Sequence, residues 1–223
     1  MITVTSFKWV PDFARGQVRD LRVRWALEEA GLAYRERLIG AEDQSSDWYR
    51  REQPFGQVPV YQENGLTLFE SGAIVLHIAE KSEALMPRDP AGRARVAQWV
   101  VAALNSIEPH VMNLGDIDIF EPDRDLAKLR RPRAVDAVKR RLDALAAWLG
   151  GREWLDDRFS AGDLMMSAAL RIVAYTDLLK EAGLDAYHKR CEARPAFGKA
   201  LKDQLESFAD DPSAAKQGRM IAA

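Results

Sequence analysis

The pattern of secondary structure changes near residue 83, and this change limits the folds that the sequence can adopt. Before that point, short strand patterns alternate with helical patterns in the order β-α-β-α-β-β-α. After a stretch rich in proline and glycine, every long segment has the periodicity of a helix. The order predicts an α/β domain over residues 1–82, a linker over 83–92 and an all-helical domain over 93–223.

The first domain is expected to contain a mixed four-stranded sheet. Strands are predicted over 2–7 and 32–39, and a helix over 18–31 joins them, so these two strands should be parallel. Asn64-Gly65, between two extended runs, is typical of a hairpin turn and adds two antiparallel strands. The resulting sheet would combine both strand directions.

The charge of the chain gives no indication of a nucleic-acid partner. The 223 residues carry a formal net charge of −2, whereas a nucleic-acid-binding domain usually shows an excess of basic residues. Arginines and lysines between residues 130 and 141 are interleaved with Ala, Val and Leu at helical spacing. We interpret them as a solvated helix face and expect no nucleic acid to bind.

Cysteine content and hydropathy indicate a reducing, aqueous compartment. Cys191 is the single cysteine, so it can form neither an internal disulfide nor a zinc site. No apolar stretch approaches the ~20 residues that cross a bilayer, and the N-terminus lacks the pattern of a signal peptide. We therefore expect a cytoplasmic protein that needs no metal and binds no membrane.

Two features lie close together in the segment "PFGQVPVYQENGLTLFES", residues 54 to 71. Pro59 sits inside a predicted strand although proline cannot donate a ladder hydrogen bond, which by itself favours a trans proline at a sheet edge. Glu70 and Ser71 lie where the last strand meets a helix. Ser71 is predicted to cap this helix, whose N–H groups and dipole favour an anion.

Six segments resemble, in order and spacing, motifs of the soluble glutathione transferases. They are "ALEEAG" (26–31), "QPFGQVPV" (53–60), "LFESGAIVLHIAEK" (68–81), "RARVAQWV" (93–100), "FSAGDLMM" (159–166) and "ARPAFGKAL" (193–201). The resemblance covers most of the chain and implies a thioredoxin-like first domain followed by an all-α domain. It also implies a homodimer that conjugates the glutathione thiolate to small hydrophobic electrophiles.

The resemblance assigns glutathione-binding roles to residues of the same segment. In the family, the residue that matches Pro59 follows a cis peptide bond, and the backbone of Val58 pairs with the cysteinyl unit of glutathione as an added strand. Glu70 would bind the ammonium group of the γ-glutamyl unit, and Ser71 its α-carboxylate. The candidates for the glycine carboxylate are Gln44, Arg50, Arg51 and Gln57, of which Gln57 is the best placed.

The sequence departs from the family at the group that activates the thiol. A free thiol has a pKa of ~8.5, so a hydrogen-bond donor or a positive field must stabilise the thiolate. The family usually supplies Tyr at the end of the first strand, or Ser or Cys at the start of the first helix. The Tyr position falls near Ser6, our first choice, and Arg19 is an electrostatic alternative. The missing cysteine argues against the thiol-transferring and reductase branches.

The electrophile is expected to bind between the domains. Trp9, Trp99 and Ser106 are candidates for its walls, although the sequence favours buried packing for Trp99. Two alternatives stay open for the function. One is a glutathione-dependent isomerase or dehalogenase that uses the same residues, and the other is a binding or regulatory protein that keeps the fold without transfer activity.

Two further features concern the helical part of the chain. Ser160 and Asp163 have the spacing of a capping box, with Phe159 in the position of a hydrophobic staple, and are expected to serve folding rather than chemistry. The C-terminal tail, residues 212–223, is rich in small residues. It is compatible with disorder or with a short helix folded back over the first domain.

Overall fold

The computed structural model describes residues 1–210 and the backbone of residues 220–221. The chain divides into two compact units, of which the first contains Met1–Leu85 and the chain from Arg194 onward, and the second contains Met86–Ala193. The first boundary lies close to the predicted linker. The second boundary differs from the predicted division, because the last long helix packs in the first unit.

The first unit is built on a five-stranded mixed sheet in the order β4-β3-β1-β2-β5. The strands are β1 (Ile2–Phe7), β2 (Tyr34–Ile39), β3 (Tyr61–Glu63), β4 (Leu66–Leu68) and β5 (Met220–Ile221). β1 and β2 are parallel, and the other pairs are antiparallel. The four predicted strands are confirmed. The described part of the tail is a strand beside β2 rather than a helix, and the rest of the tail lies outside the described residues.

Five helices accompany this sheet. They are α1 (Asp20–Ala30), α2 (Ala41–Gln44), α3 (Asp47–Arg50), α4 (Ser71–Ala79) and α11 (Pro195–Ser207). α1 ends at Gly31, whose φ of 66° gives the left-handed C-cap that glycine adopts without steric cost. Residues 20–27 of α1 are all buried, charged ones included. α11 covers α1, and the rings of Trp25 and Phe197 lie 4.8 Å apart.

The second unit, residues 86–193, contains helices and no strand. Its helices are α5 (Pro90–Ala102), α6 (Glu108–Gly115), α7 (Arg124–Leu149), α8 (Ala161–Leu170), α9 (Leu178–Glu181) and α10 (Asp185–Glu192), with π-helical turns at Ala103–Ile107 and Asp116–Phe120. The predicted capping box is confirmed at α8, where the Ser160 N–H donates to the carboxylate of Asp163 over 3.0 Å. None of the helices in the described part of the chain could cross a membrane.

Candidate functional site

The residues predicted to bind glutathione come together at one edge of the first unit. β3 and β4 pair with Tyr61 opposite Leu68. The rings of Phe55 and Phe69 lie 6.1 Å apart, so the loop before Val58 and the segment before Glu70 are neighbours. We call residues 57–59 and 70–71 the binding edge.

The Val58–Pro59 peptide bond is cis, as the family resemblance implied. The side chains of Val58 and Pro59 are buried, and the Thr5 N–H of β1 donates to the Val60 carbonyl over 2.8 Å. β3 begins at Tyr61, so Pro59 precedes the strand, whereas the sequence predicted it inside one. Among the described residues, the backbone N–H and C=O of Val58 have no hydrogen-bond partner. Since unpaired backbone groups take up a partner strand readily, Val58 offers a place for a peptide ligand.

The loop before Val58 is fixed by α2 and α3. The Tyr49 hydroxyl donates to the Gln57 carbonyl over 2.6 Å, and the Gln44 amide donates to the Gly56 carbonyl over 2.8 Å. Arg50 donates to the Pro54 carbonyl over 2.7 Å. Gln44 and Arg50 therefore support the loop, whereas the side chain of Gln57 is exposed and open to a ligand.

The N-terminus of α4 differs from the predicted arrangement. Ser71 is the first helical residue and not the cap, and the cap position belongs to Glu70, whose side chain makes no capping hydrogen bond. Glu70 has a φ of 70°, a backbone conformation that non-glycine residues adopt at a cost and that often marks functional positions. The first N–H groups of α4 have no intrahelical acceptor, so they can receive an anion.

Arg22 is a member of this region that the sequence pattern missed. It lies on α1, it is 5% exposed, and its guanidinium donates to the Ser71 hydroxyl over 3.2 Å. A buried guanidinium next to an uncapped helix N-terminus adds positive charge there. The contact joins residues that are 49 positions apart, and no local pattern encodes such a contact.

Residues 8–19, "KWVPDFARGQVR", connect β1 to α1 and contain no hydroxyl or thiol side chain. We call them the β1–α1 connection. They include a 3₁₀ turn at Asp12–Ala14 and the exposed ring of Phe13. Trp9 is partly buried, and Arg19 is partly exposed at the cap position of α1.

Ser6 is placed unfavourably for the role predicted from the sequence. It is 0% exposed, and its hydroxyl accepts a hydrogen bond from Arg24 over 2.9 Å. The Arg24 guanidinium also donates to Asp20 over 2.7 Å and to Glu36 over 2.6 Å. Because Ser6 belongs to this buried network, its hydroxyl cannot meet a bound thiol unless the core opens. The geometry disfavours Ser6 as the thiolate donor.

The same network keeps its arginine charged. Burial opposes the charge on Arg24, but the carboxylates of Asp20 and Glu36 raise the pKa of Arg24 above its ordinary value. A buried ion pair of this kind is strongly destabilising when one partner is removed. The network therefore fixes α1 against β1 and β2 and carries no group that is free to react.

The residues predicted for the electrophile wall in the second unit have packing contacts there. The Trp99 ring lies 5.2 Å from the ring of Trp148, and a Cβ added at Gly162 would come within 2.6 Å of the Trp99 Cβ. Ser106 lies in the π-helical turn after α5 and is partly exposed. Wall roles for Trp99, Ser106 and Trp9 stay predictions.

Cys191 is buried in α10. Burial raises the pKa of its thiol to about 12, so the thiolate that reacts in exchange chemistry is not available at neutral pH. The part of the chain that the structure describes contains no group of His, Cys, Asp and Glu side chains that could hold a metal ion. Any reactive sulfur at the binding edge would thus come from a ligand.

Comparisons with known proteins agree with this geometry. The model of the glutathione S-transferase N-terminal domain matches residues 13–80. Glutathione S-transferase 4 of Zea mays is 31% identical, over 81% of this chain and 86% of that protein. The disulfide-bond oxidoreductase YfcG of Escherichia coli is 28% identical, over 80% of this chain and 88% of that protein.

Two solved structures resemble this chain over 90% of its length. A glutathione transferase from Burkholderia graminis, with two glutathione molecules bound per subunit, has a TM-score of 0.79 and 28% identity over 90% of this chain and 87% of that one. One from Pseudomonas putida, with one glutathione disulfide bound per subunit, has a TM-score of 0.76 and 29% identity over 90% of both chains. With its binding edge, its thioredoxin-like sheet and these relatives, the chain belongs to the glutathione S-transferase family.

Proposed function

We propose that this protein binds glutathione at the binding edge and transfers its thiolate to a small hydrophobic electrophile. The proposal rests on two features in neighbouring segments, the unpaired backbone of Val58 and the uncapped N-terminus of α4. Each of them can bind one part of a peptide ligand. A peptide that pairs with Val58 would extend its γ-glutamyl carboxylate toward α4 and Arg22. The exposed carboxylate of Glu70 would receive the ammonium group.

The thiol then has to lose its proton. The β1–α1 connection offers cations, an indole N–H and backbone N–H groups as donors, and it offers no side-chain hydroxyl. Arg19 at the cap position of α1 stabilises the thiolate by its charge, together with the positive end of the helix dipole. Each unit by which the thiol pKa falls corresponds to ~1.4 kcal/mol.

Retention on immobilised glutathione, followed by conjugation of an aromatic halide, tests this proposal. We expect wild-type protein to be retained and to turn over the halide, and Glu70→Ala to lose most of its affinity. Glu80→Ala, an exposed change at the C-terminal end of α4, serves as the matched control and should behave as wild type. Equal retention of wild type and Glu70→Ala would contradict the assignment of the binding edge.

A second candidate is disulfide exchange between two glutathione molecules and a substrate disulfide. YfcG is named as a disulfide-bond oxidoreductase, and the Pseudomonas putida structure holds glutathione disulfide. A glutathione thiolate would attack the substrate disulfide and release one substrate thiolate. A second glutathione thiolate would then attack the glutathione sulfur of the mixed disulfide, giving glutathione disulfide and the second substrate thiol. Cys191, the single cysteine, is buried and has no role in this sequence of steps.

One measurement separates the two candidates. The exchange reaction is measured with a small disulfide as the substrate and glutathione as the reductant. The appearance of glutathione disulfide gives its rate. Conjugation alone would support the transferase, and exchange alone would support the oxidoreductase. The Cys191→Ser variant should exchange at the wild-type rate, and a loss of exchange in that variant would contradict a reaction carried by glutathione sulfur only.

We also propose that the protein is a cytoplasmic homodimer. Phe55 is 62% exposed, and its ring meets that of Phe69, 37% exposed, at 6.1 Å. An exposed aromatic pair of this kind is suited to an interface between copies of the chain. Sedimentation should give a dimer for wild type and a shift toward monomer for Phe55→Ser, and a wild-type monomer would contradict the proposal.

A further inference from the structure

The end of α11 and the two residues after it contact the β1–α1 connection at Lys8, Arg15 and Val18. We call Gln204, Ser207, Phe208 and Ala209 the C-terminal clamp. All four are buried and belong to the same unit as the connection. The contacts join residues that are more than 180 positions apart.

The clamp holds the beginning and the middle of the connection. The Ala209 N–H donates to the Lys8 carbonyl over 2.7 Å, and Arg15 donates to the Ala209 carbonyl over 3.1 Å. The Arg15 guanidinium also lies 5.9 Å from the centre of the Phe208 ring, within cation–π range. Ala209 thus bridges Lys8 and Arg15, and Phe208 adds a second contact to Arg15.

The clamp also holds the end of the connection, where α1 begins. The Gln204 amide donates to the Val18 carbonyl over 3.1 Å and to the Asp20 carboxylate over 2.8 Å. Ser207 accepts from Arg24 over 3.3 Å and so joins the buried network below α1. The Gln204 side chain is fully buried, and its two donor bonds go to Val18 of the connection and to Asp20, the first residue of α1.

We propose that the C-terminal clamp positions the β1–α1 connection for thiol activation, with Gln204 as the principal positioning residue. The inference rests on the proposed function, because the connection is where the glutathione sulfur would lie. The connection supplies no hydroxyl or thiol side chain, so activation depends on where its charges, its N–H groups and the α1 N-terminus stand. A displacement of about 1 Å in such a site costs on the order of a hundredfold in rate.

The test compares Gln204→Met, which keeps the volume and removes both donor bonds, with Leu205→Ala, an exposed change on the same helix. For each folded protein, the thiolate absorbance of bound glutathione is titrated against pH, and Kd, kcat and KM are measured. We expect Gln204→Met to bind glutathione within about twofold of wild type, while its bound thiol deprotonates about one pH unit higher and kcat falls about tenfold. Leu205→Ala should match wild type in every measurement.

Phe208→Leu serves as the second variant, because it keeps an apolar side chain and removes the ring beneath Arg15. It should show the same change in a weaker form, about threefold in kcat, and it decides the question if Gln204→Met does not fold. A thiol titration and kcat that are unchanged in the folded variants would overturn the role of the clamp. A wild-type protein that shows no thiolate absorbance with glutathione would instead overturn the proposed function.

Discussion

The binding edge and the β1–α1 connection are neighbouring parts of one proposed site, and they are built in opposite ways. The binding edge is fixed by residues close in sequence, such as Tyr49, which holds Gln57 eight positions away. The connection is held by residues from the other end of the chain, and Arg15 contacts Ala209 across 194 positions. The comparison indicates that the loop of the binding edge is encoded mainly by nearby residues, with Arg22 as the exception, whereas activation of the thiol depends on long-range packing.

The largest effect is expected from breaking the buried network that supports the connection. Arg24→Met should lower the free energy of unfolding by about 3–5 kcal/mol, because Asp20 and Glu36 would remain buried without their cation. Chemical denaturation measures this change. Arg133→Met, an exposed change on α7, should stay within about 0.5 kcal/mol of wild type. Equal effects of the two substitutions would contradict a structural role for the network.

A smaller loss of stability is expected in the loop next to the binding edge. Gly56 has a φ of 64°, and a Cβ there would lie 2.6 Å from the Gln44 carbonyl oxygen, whereas Gly65 has a φ of 84° and open space around it. Both alanine substitutions meet the left-handed backbone cost of about 1–2 kcal/mol. Gly56→Ala adds the clash and should lose about 2–3 kcal/mol in denaturation. If Gly65→Ala were the more damaging of the two, close packing of this loop would be refuted.

The two regions also differ in how far the sequence predicts them. The hairpin of β3 and β4 and the start of α4 follow from turn residues and periodicity over about 20 positions, although Pro59 precedes β3 and does not lie in a strand. The motif resemblance then added the cis bond. Arg22 and the placement of Ser6 could not be predicted, because both depend on contacts between separate elements, Arg22 with Ser71 of α4 and Ser6 with Arg24 of α1. The fifth strand likewise depends on a tail that meets β2 only in the folded chain.

Glu70 allows function and stability to be separated at the binding edge. Glu70→Gly should relieve the backbone strain of a φ of 70° and stabilise the protein by about 0.5–1 kcal/mol, while glutathione affinity falls about tenfold. Calorimetry measures both quantities. Asn64→Gly, at a φ of 49° in the hairpin turn, is the matched control and should leave affinity unchanged. A stabilised Glu70→Gly that binds glutathione normally would remove Glu70 from the site.

The smallest effect is a pH dependence in the hairpin that carries the binding edge. The hydrogen bond from Lys81 lowers the pKa of Glu63 below its ordinary value. The ionised form is favoured in the folded state, so its stabilisation is present above pH 4.5, the ordinary pKa, and is lost as pH falls below it. Wild type should exceed Glu63→Gln by less than about 1 kcal/mol near neutral pH. A difference that grows in acid would contradict this sign.

A crystal structure of the protein with glutathione tests the central claim most directly. We predict that the cysteinyl backbone of glutathione pairs with the N–H and C=O of Val58 and that its γ-glutamyl carboxylate sits at the N-terminus of α4. Its sulfur should face the β1–α1 connection, within hydrogen-bond reach of a group in residues 8–19 and away from Ser6. Glutathione bound elsewhere, or a sulfur held by the Ser6 hydroxyl, would contradict the account.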